Sequence, residues 1–180
     1  MKAASYFAVR MISFATAVLP VGQALAQQPQ IPTLQVCNPT EVAGGGTVRL
    51  TRRIDAVHSG TFSLQIDLRC SPEGEPYPAG GGSLNSDLTD SLKGSISLNV
   101  FEQVTTTGEV TPTAYMNGRC DAEGIRGCRF WLSIADNGTP DRGDTSDVIG
   151  FVVLDGNGKR IAYGTGPLME GDLHVAPNSF

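Results

Sequence analysis

From Phe62 to Leu68 every second residue is apolar: Phe62, Leu64, Ile66 and Leu68 alternate with Ser63, Gln65, Asp67 and Arg69. A period of two puts one set on each side of an extended chain, so this stretch predicts a strand with one buried face. Ile96, Leu98 and Val100 repeat the pattern against Ser95, Ser97 and Asn99, and Phe130, Leu132 and Ile134 repeat it against Arg129, Trp131 and Ser133. Residues 148–154 are apolar almost without interruption, Gly150 excepted, which predicts a central strand covered on both faces. Past the N-terminal segment, no window of eleven or more residues keeps helical spacing.

The 22 Gly and 11 Pro punctuate these runs without a period, which argues for turns rather than a collagen-like repeat. Asp155-Gly156-Asn157-Gly158 reads as a tight hairpin turn into Lys159-Arg160-Ile161-Ala162-Tyr163, because Asp-Gly and Asn-Gly pairs accept positive φ. Leu173 and Val175 close the series. Strand after strand joined by Gly, Pro, Asn and Asp gives an all-β fold of roughly seven to nine strands, either an antiparallel β-sandwich of the Ig-like, Greek-key type or a closed β-barrel. Residues 71–82, rich in Pro and Gly, read as a long exposed connection, either an idle solvated loop or, if any loop carries binding, the sort that does.

Residues 1–26 read as a secretory signal peptide. Lys2 and Arg10 supply charge, residues 11–19 form an uncharged, mostly apolar run, and Ala24-Leu25-Ala26 is a small-residue cleavage pattern that would leave Gln27 first. The run is about half the ~20 residues a spanning helix needs, so no membrane span is expected after removal of the signal. Residues 27–43 then form a flexible arm and residues 44–180 a single all-β domain, located in the periplasm or outside the cell. The net charge of −5 becomes more negative without Lys2 and Arg10, which excludes nucleic acid as a partner, since phosphates require a basic face.

Four cysteines, Cys37, Cys70, Cys120 and Cys128, lie beyond the signal, and an even count in an oxidising compartment favours two disulfides. Cys120 and Cys128 can face each other across a hairpin whose loop is residues 121–127, which leaves Cys37 for Cys70. Their spacing lacks the short doublets of a zinc site, and an exported thiol with partners oxidises rather than serving as a nucleophile.

The densest cluster of potential ligands is Asp136, Asp141, Asp144 and Asp147. Oxygen-rich loops of this kind suit calcium, the one cofactor the chain suggests; the competing reading is that Asp136 and Asp144 accept backbone N–H groups and build the turn itself. Arg142-Gly143-Asp144 spells an integrin-type tripeptide, and Asn137-Gly138-Thr139 a glycosylation sequon. His174 shares a strand face with Asp172, an arrangement that can orient a base. Trp131, the single Trp, is expected on the outer face of its strand, partly buried beside Arg129 or against a ligand. No nucleophile elbow, zinc-protease helix, P-loop or dinucleotide fingerprint occurs, and no residue is assigned to catalysis or to binding an organic cofactor.

Three stretches together resemble the secreted all-β domains called post-COAP: Gly44-Gly45-Gly46-Thr47-Val48 ahead of a Phe-x-Leu-x-Ile strand, Asn117-Gly118 with Phe130 before the loop from Asp136 to Thr145, and Gly171-Asp172-Leu173-His174-Val175. The chain departs from that pattern at Asp141, where the family often has Gly, at Ser146-Asp147, and in a longer stretch over residues 159–170. The resemblance implies a secreted β-domain, often an accessory to other modules, and no reaction. A non-catalytic binding, adhesion or cell-envelope module is therefore the expectation, with a protein or glycan at the cell surface as partner. The alternatives are a secreted carboxylate-dependent hydrolase and a calcium-stabilised adhesin.

Overall fold

The structure, a computed structural model, describes residues 40–51, 58–70, 78–138 and 145–177. Among these, eight strands form one closed antiparallel barrel in sequence order: β1 (Thr40–Leu50), β2 (Gly60–Cys70), β3 (Ala79–Leu88), β4 (Gly94–Thr107), β5 (Thr113–Ala122), β6 (Ile125–Ala135), β7 (Val148–Leu154) and β8 (Arg160–Pro177). Each strand pairs with the next, and β1 pairs with β8 to close the ring. Of the two architectures expected, the barrel is the one adopted.

The alternation predicted for β2 is observed: Phe62, Leu64, Ile66 and Leu68 point inward, each at most 2% exposed. Two T-shaped aromatic pairs fill the interior, Phe62 with Phe151 at 4.8 Å and Phe101 with Phe130 at 5.1 Å between ring centres. Each fully buried Phe or Leu removes enough apolar area from water to contribute about 2 kcal/mol. With Ser63, Gln65, Asp67 and Arg69 outside, β2 reverses the apolar-out, polar-in order of membrane barrels. No helix of the described residues is long and apolar enough to cross a membrane.

Four expectations are corrected. β1 begins at Thr40, inside the arm expected over residues 27–43, because its backbone is paired on both sides, to β2 and to β8. Ala79 to Gly82, expected within an exposed connection, belong to β3 and pair with β2. Glycine is what permits this: Gly80 has φ +128°, and a Cβ there would lie 2.1 Å from the Asp67 carbonyl oxygen. Residues 71–77 lie outside the described residues. β7 alternates like its neighbours, with Ile149, Phe151 and Val153 buried and Val148, Gly150, Val152 and Leu154 half-buried outside, so it is not covered on both faces. The stretches around Tyr163 and Leu173 are one long strand, β8, whose register slips between its pairings with Thr47 and Val48.

Cys120 and Cys128 face each other across β5 and β6 and form a disulfide. The hairpin is tighter than the loop expected over residues 121–127, since Ala122 pairs with Ile125. Cys70 is disulfide-bonded as well; its expected partner Cys37 lies outside the described residues. The turn after β7 forms as read: Asp155 Oδ1 accepts the N–H groups of Asn157 and Lys159, each at 2.9 Å.

Candidate functional site

Strand register across β4 to β8 lays two rows of side chains on the outer wall. Thr105, Tyr115, Ser133, Gly150 and Thr165 face one another in one row, and Gln103, Asn117, Trp131, Val152 and Tyr163 in the next. Residues of both rows line a groove of about 600 Å³, extended beyond β8 by Leu50 and His58. That volume lies within the ~300–1,000 Å³ range of small-ligand sites. Gly150 forms its floor: with no side chain there, the wall dips between Ser133 and Thr165, whose oxygens would stand 2.8 and 3.3 Å from a Cβ.

Tyr115 and Trp131 rise from this floor 53% and 46% exposed. They are diagonal neighbours on adjacent strands, at a separation of roughly 7–8 Å that lets large rings form one surface. Trp131 and Tyr163 are two strands apart, about 10 Å at ordinary strand spacing, with Val152 between. The Tyr163 ring stacks on the His58 imidazole at 4.0 Å and carries the Arg160 guanidinium 4.0 Å from its centre. His58 is itself held in place, its Nδ1 2.9 Å from the Thr89 carbonyl oxygen and its Nε2 2.6 Å from that of Tyr163. One wall of the groove, on β8, is thus braced by His58 from the segment before β2, which is itself anchored to the turn after β3. The opposite wall carries the unstacked rings of Trp131 and Tyr115.

Among the described residues, no carboxylate, Lys or Arg lines the groove. Asn117 Nδ2 donates to Gln103 Oε1 at 3.1 Å, so the two amides form a fixed polar pair beside the rings. Further along the wall, Glu102 binds Arg119 at 3.1 Å and also pairs with Arg129, two residues before Trp131.

Asp136 and Asp147, two of the four acidic residues expected to hold calcium, sit elsewhere. Asp136 follows β6 and Asp147 precedes β7, and all four of their carboxylate oxygens accept backbone N–H groups. Asp136 takes Gly138 at 3.0 Å and Val175 at 2.9 Å; Asp147 takes Asn137 at 2.9 Å and Leu173 at 2.8 Å. These two carboxylates tie the loop between β6 and β7 to β8. Asp141 and Asp144, with Arg142 and the rest of the tripeptide, lie outside the described residues. Among the described residues no group of three or more His, Cys, Asp or Glu is placed to hold a metal ion. His174 Nδ1 lies 3.5 Å from Asp136 Oδ2, so its carboxylate neighbour is Asp136 rather than the expected Asp172. Asn137, the sequon residue, donates its side-chain amide to the Ser146 carbonyl at 2.9 Å.

Burial, the largest effect, pushes the Asp147 carboxyl pKa above its ordinary value; the N–H groups of Asn137 and Leu173 oppose the shift, and the negative charges of Asp136 and Asp172 reinforce it.

Sequence reasoning singled out Trp131 but missed Tyr115, Asn117 and Tyr163. A signal for two of them was present: stepping outward from the Cys120 and Cys128 pair places Asn117 across from Trp131 and Tyr115 across from Ser133. In comparisons with family models, with curated proteins and with solved structures, nothing matches this chain.

Proposed function

We propose that this protein is an exported, non-catalytic binding module that takes its ligand on the outer wall of the barrel, in the groove between Trp131 and Tyr163. One observation carries the reading: Trp131 and Tyr115 stand about half exposed around a floor opened by Gly150. Large rings left in water beside a shaped depression mark recognition surfaces, because covering them removes apolar area from water while their polar tips still find partners. The rigid sheet beneath holds the rings in place before binding, which lowers the ordering cost of association.

Export rests on the charged, apolar and small-residue order of residues 1–26. Membership of the post-COAP family is proposed on the quoted motifs. Two of them become hydrogen-bonded neighbours at the barrel seam, with Gly44 opposite Leu173 and Gly46 opposite Gly171, which supports reading them as one unit.

The test is a binding screen with soluble oligosaccharides and peptides, read by the emission of Trp131, the single Trp. A binding module gives saturable shifts in the parent protein, affinity that falls in Trp131→Ala as measured by calorimetry, since that variant lacks the fluorophore, and ligand recovered intact. Release of cleaved product would favour the hydrolase reading. An N-terminus at Gln27 on protein recovered outside the cytoplasm is the matching check on export.

A further inference from the structure

We infer that the groove's occupant is a neutral glycan strand laid across β5 to β8, its sugar rings against Trp131 and Tyr115; this rests on the binding-module reading above. Three features of the wall converge on that chemistry. The first is charge. Among the described residues the lining holds no carboxylate, Lys or Arg; the Arg160 guanidinium is stacked on Tyr163, and Arg119 and Arg129 are engaged by Glu102. An acidic chain would leave water without meeting a Lys or Arg among the lining residues, whereas a neutral one needs no such partner.

The second feature is the kind of hydrogen bonding on offer. Sugar hydroxyls donate and accept, and so do the amides of Gln103 and Asn117 and the hydroxyl of Thr165 around the rings, while the Ser133 hydroxyl, which donates to the Gly150 carbonyl at 3.3 Å, adds an acceptor. The bond between Asn117 and Gln103 uses one amide hydrogen and one oxygen lone pair, leaving the Gln103 NH₂ and the Asn117 carbonyl oxygen for a ligand. A proline-rich peptide, the other common guest of aromatic grooves, offers chiefly carbonyl acceptors and would leave those acceptors unmatched. The third feature is shape. The floor is open along the wall, and the Tyr163 side is held by His58 and Arg160, so an extended ligand with one apolar face and polar edges lies between a fixed ridge and two open rings.

The experiment titrates the mature protein with four sets of probes while following Trp131 emission. These are neutral hexasaccharides of glucose, xylose and N-acetylglucosamine; galacturonic acid oligomers; a heparin hexasaccharide; and a proline-rich dodecapeptide. The expected result is saturable binding of at least one neutral hexasaccharide, insensitive to added salt. For Trp131→Ala and Tyr115→Ala, followed by calorimetry because the first lacks the fluorophore, affinity falls about tenfold or more, the loss of one stacked ring. Tyr115→Phe retains affinity within a few-fold, and unchanged melting of all variants shows that the fold is intact. Binding confined to acidic oligomers or to the peptide, and lost in Trp131→Ala, overturns the neutral-glycan assignment while leaving the groove as a binding site. Neutral-glycan binding untouched by either ring variant overturns the location. Silence toward every probe overturns both the ligand class and the binding-module reading.

Discussion

The Leu173 backbone N–H donates a 2.8 Å hydrogen bond to Asp147 Oδ2, although Asp147 is only 1% exposed. The other oxygen of the carboxylate accepts from Asn137, so one buried side chain holds the start of β7, the loop before it and β8 together. A buried carboxylate with two backbone donors is costly to desolvate and costly to remove.

Asp147→Asn is expected to lower stability by about 1–3 kcal/mol near neutral pH, since one of the two N–H groups loses its acceptor. The sign of the pH dependence follows from the raised pKa. The favourable contribution of the protonated form is fully present below the unfolded value of 3.8 and is lost as pH rises through the higher folded value. Urea melts from about pH 3 to pH 7 therefore show a falling stability component in the parent chain that Asp147→Asn lacks. An identical slope in both proteins would refute this assignment.

Gly118→Ala is expected to be among the most damaging single methyl additions in the barrel. A Cβ there would stand 1.8 Å from the Val100 carbonyl oxygen and 2.9 Å from the Phe130 ring, where β4 bulges toward β5. Neither neighbour can withdraw, because one is backbone and the other is packed edge-on against Phe101. Destabilisation of about 2–4 kcal/mol or failure to fold is predicted, read by thermal denaturation.

Replacing both Cys120 and Cys128 by Ala is expected to cost about 2–3 kcal/mol from the short loop alone, before any packing loss. The two residues are separated by 8 positions and are 2% and 0% exposed. Reductant should consequently act on this bond slowly in the native protein and readily once denaturant is added. Mass spectrometry after thiol trapping measures both rates, and rapid native reduction would contradict the burial.

Trp131→Ala should leave the melting temperature nearly unchanged, because substitutions of exposed side chains usually stay within about 0.5 kcal/mol. In the parent protein the same exposure predicts red-shifted emission that acrylamide quenches efficiently. Blue-shifted, protected fluorescence would mean that the ring is covered and the groove closed.

Much of the barrel was legible because one buried face imposes a period of two, and β2 displays it over four residues of each parity. β3 was hidden: its first half is Ala79-Gly80-Gly81-Gly82, whose composition signals a turn while its pairing to Leu68 and Ile66 makes it strand. β7 was misread because the groove half-covers Val152 from outside, so both parities are apolar. The groove itself requires register across five strands. The disulfide supplies that register between β5 and β6, but the shift between Val153 and Leu154 breaks the count from the Asp155 turn to Tyr163. His58 reaches the site through a stacking contact with a residue more than a hundred positions away, which no local pattern encodes.

The Thr40 hydroxyl donates to the Ala176 carbonyl at 3.1 Å across 136 positions of chain, at the seam where the first strand meets the last. The ring consequently cannot shut until β8, the last of its eight strands, has been synthesised, and its topology favours slow, late folding dominated by non-local contacts. Delayed maturation of that kind keeps a nascent polypeptide threadable through a narrow translocation pore, as the export proposed above would require.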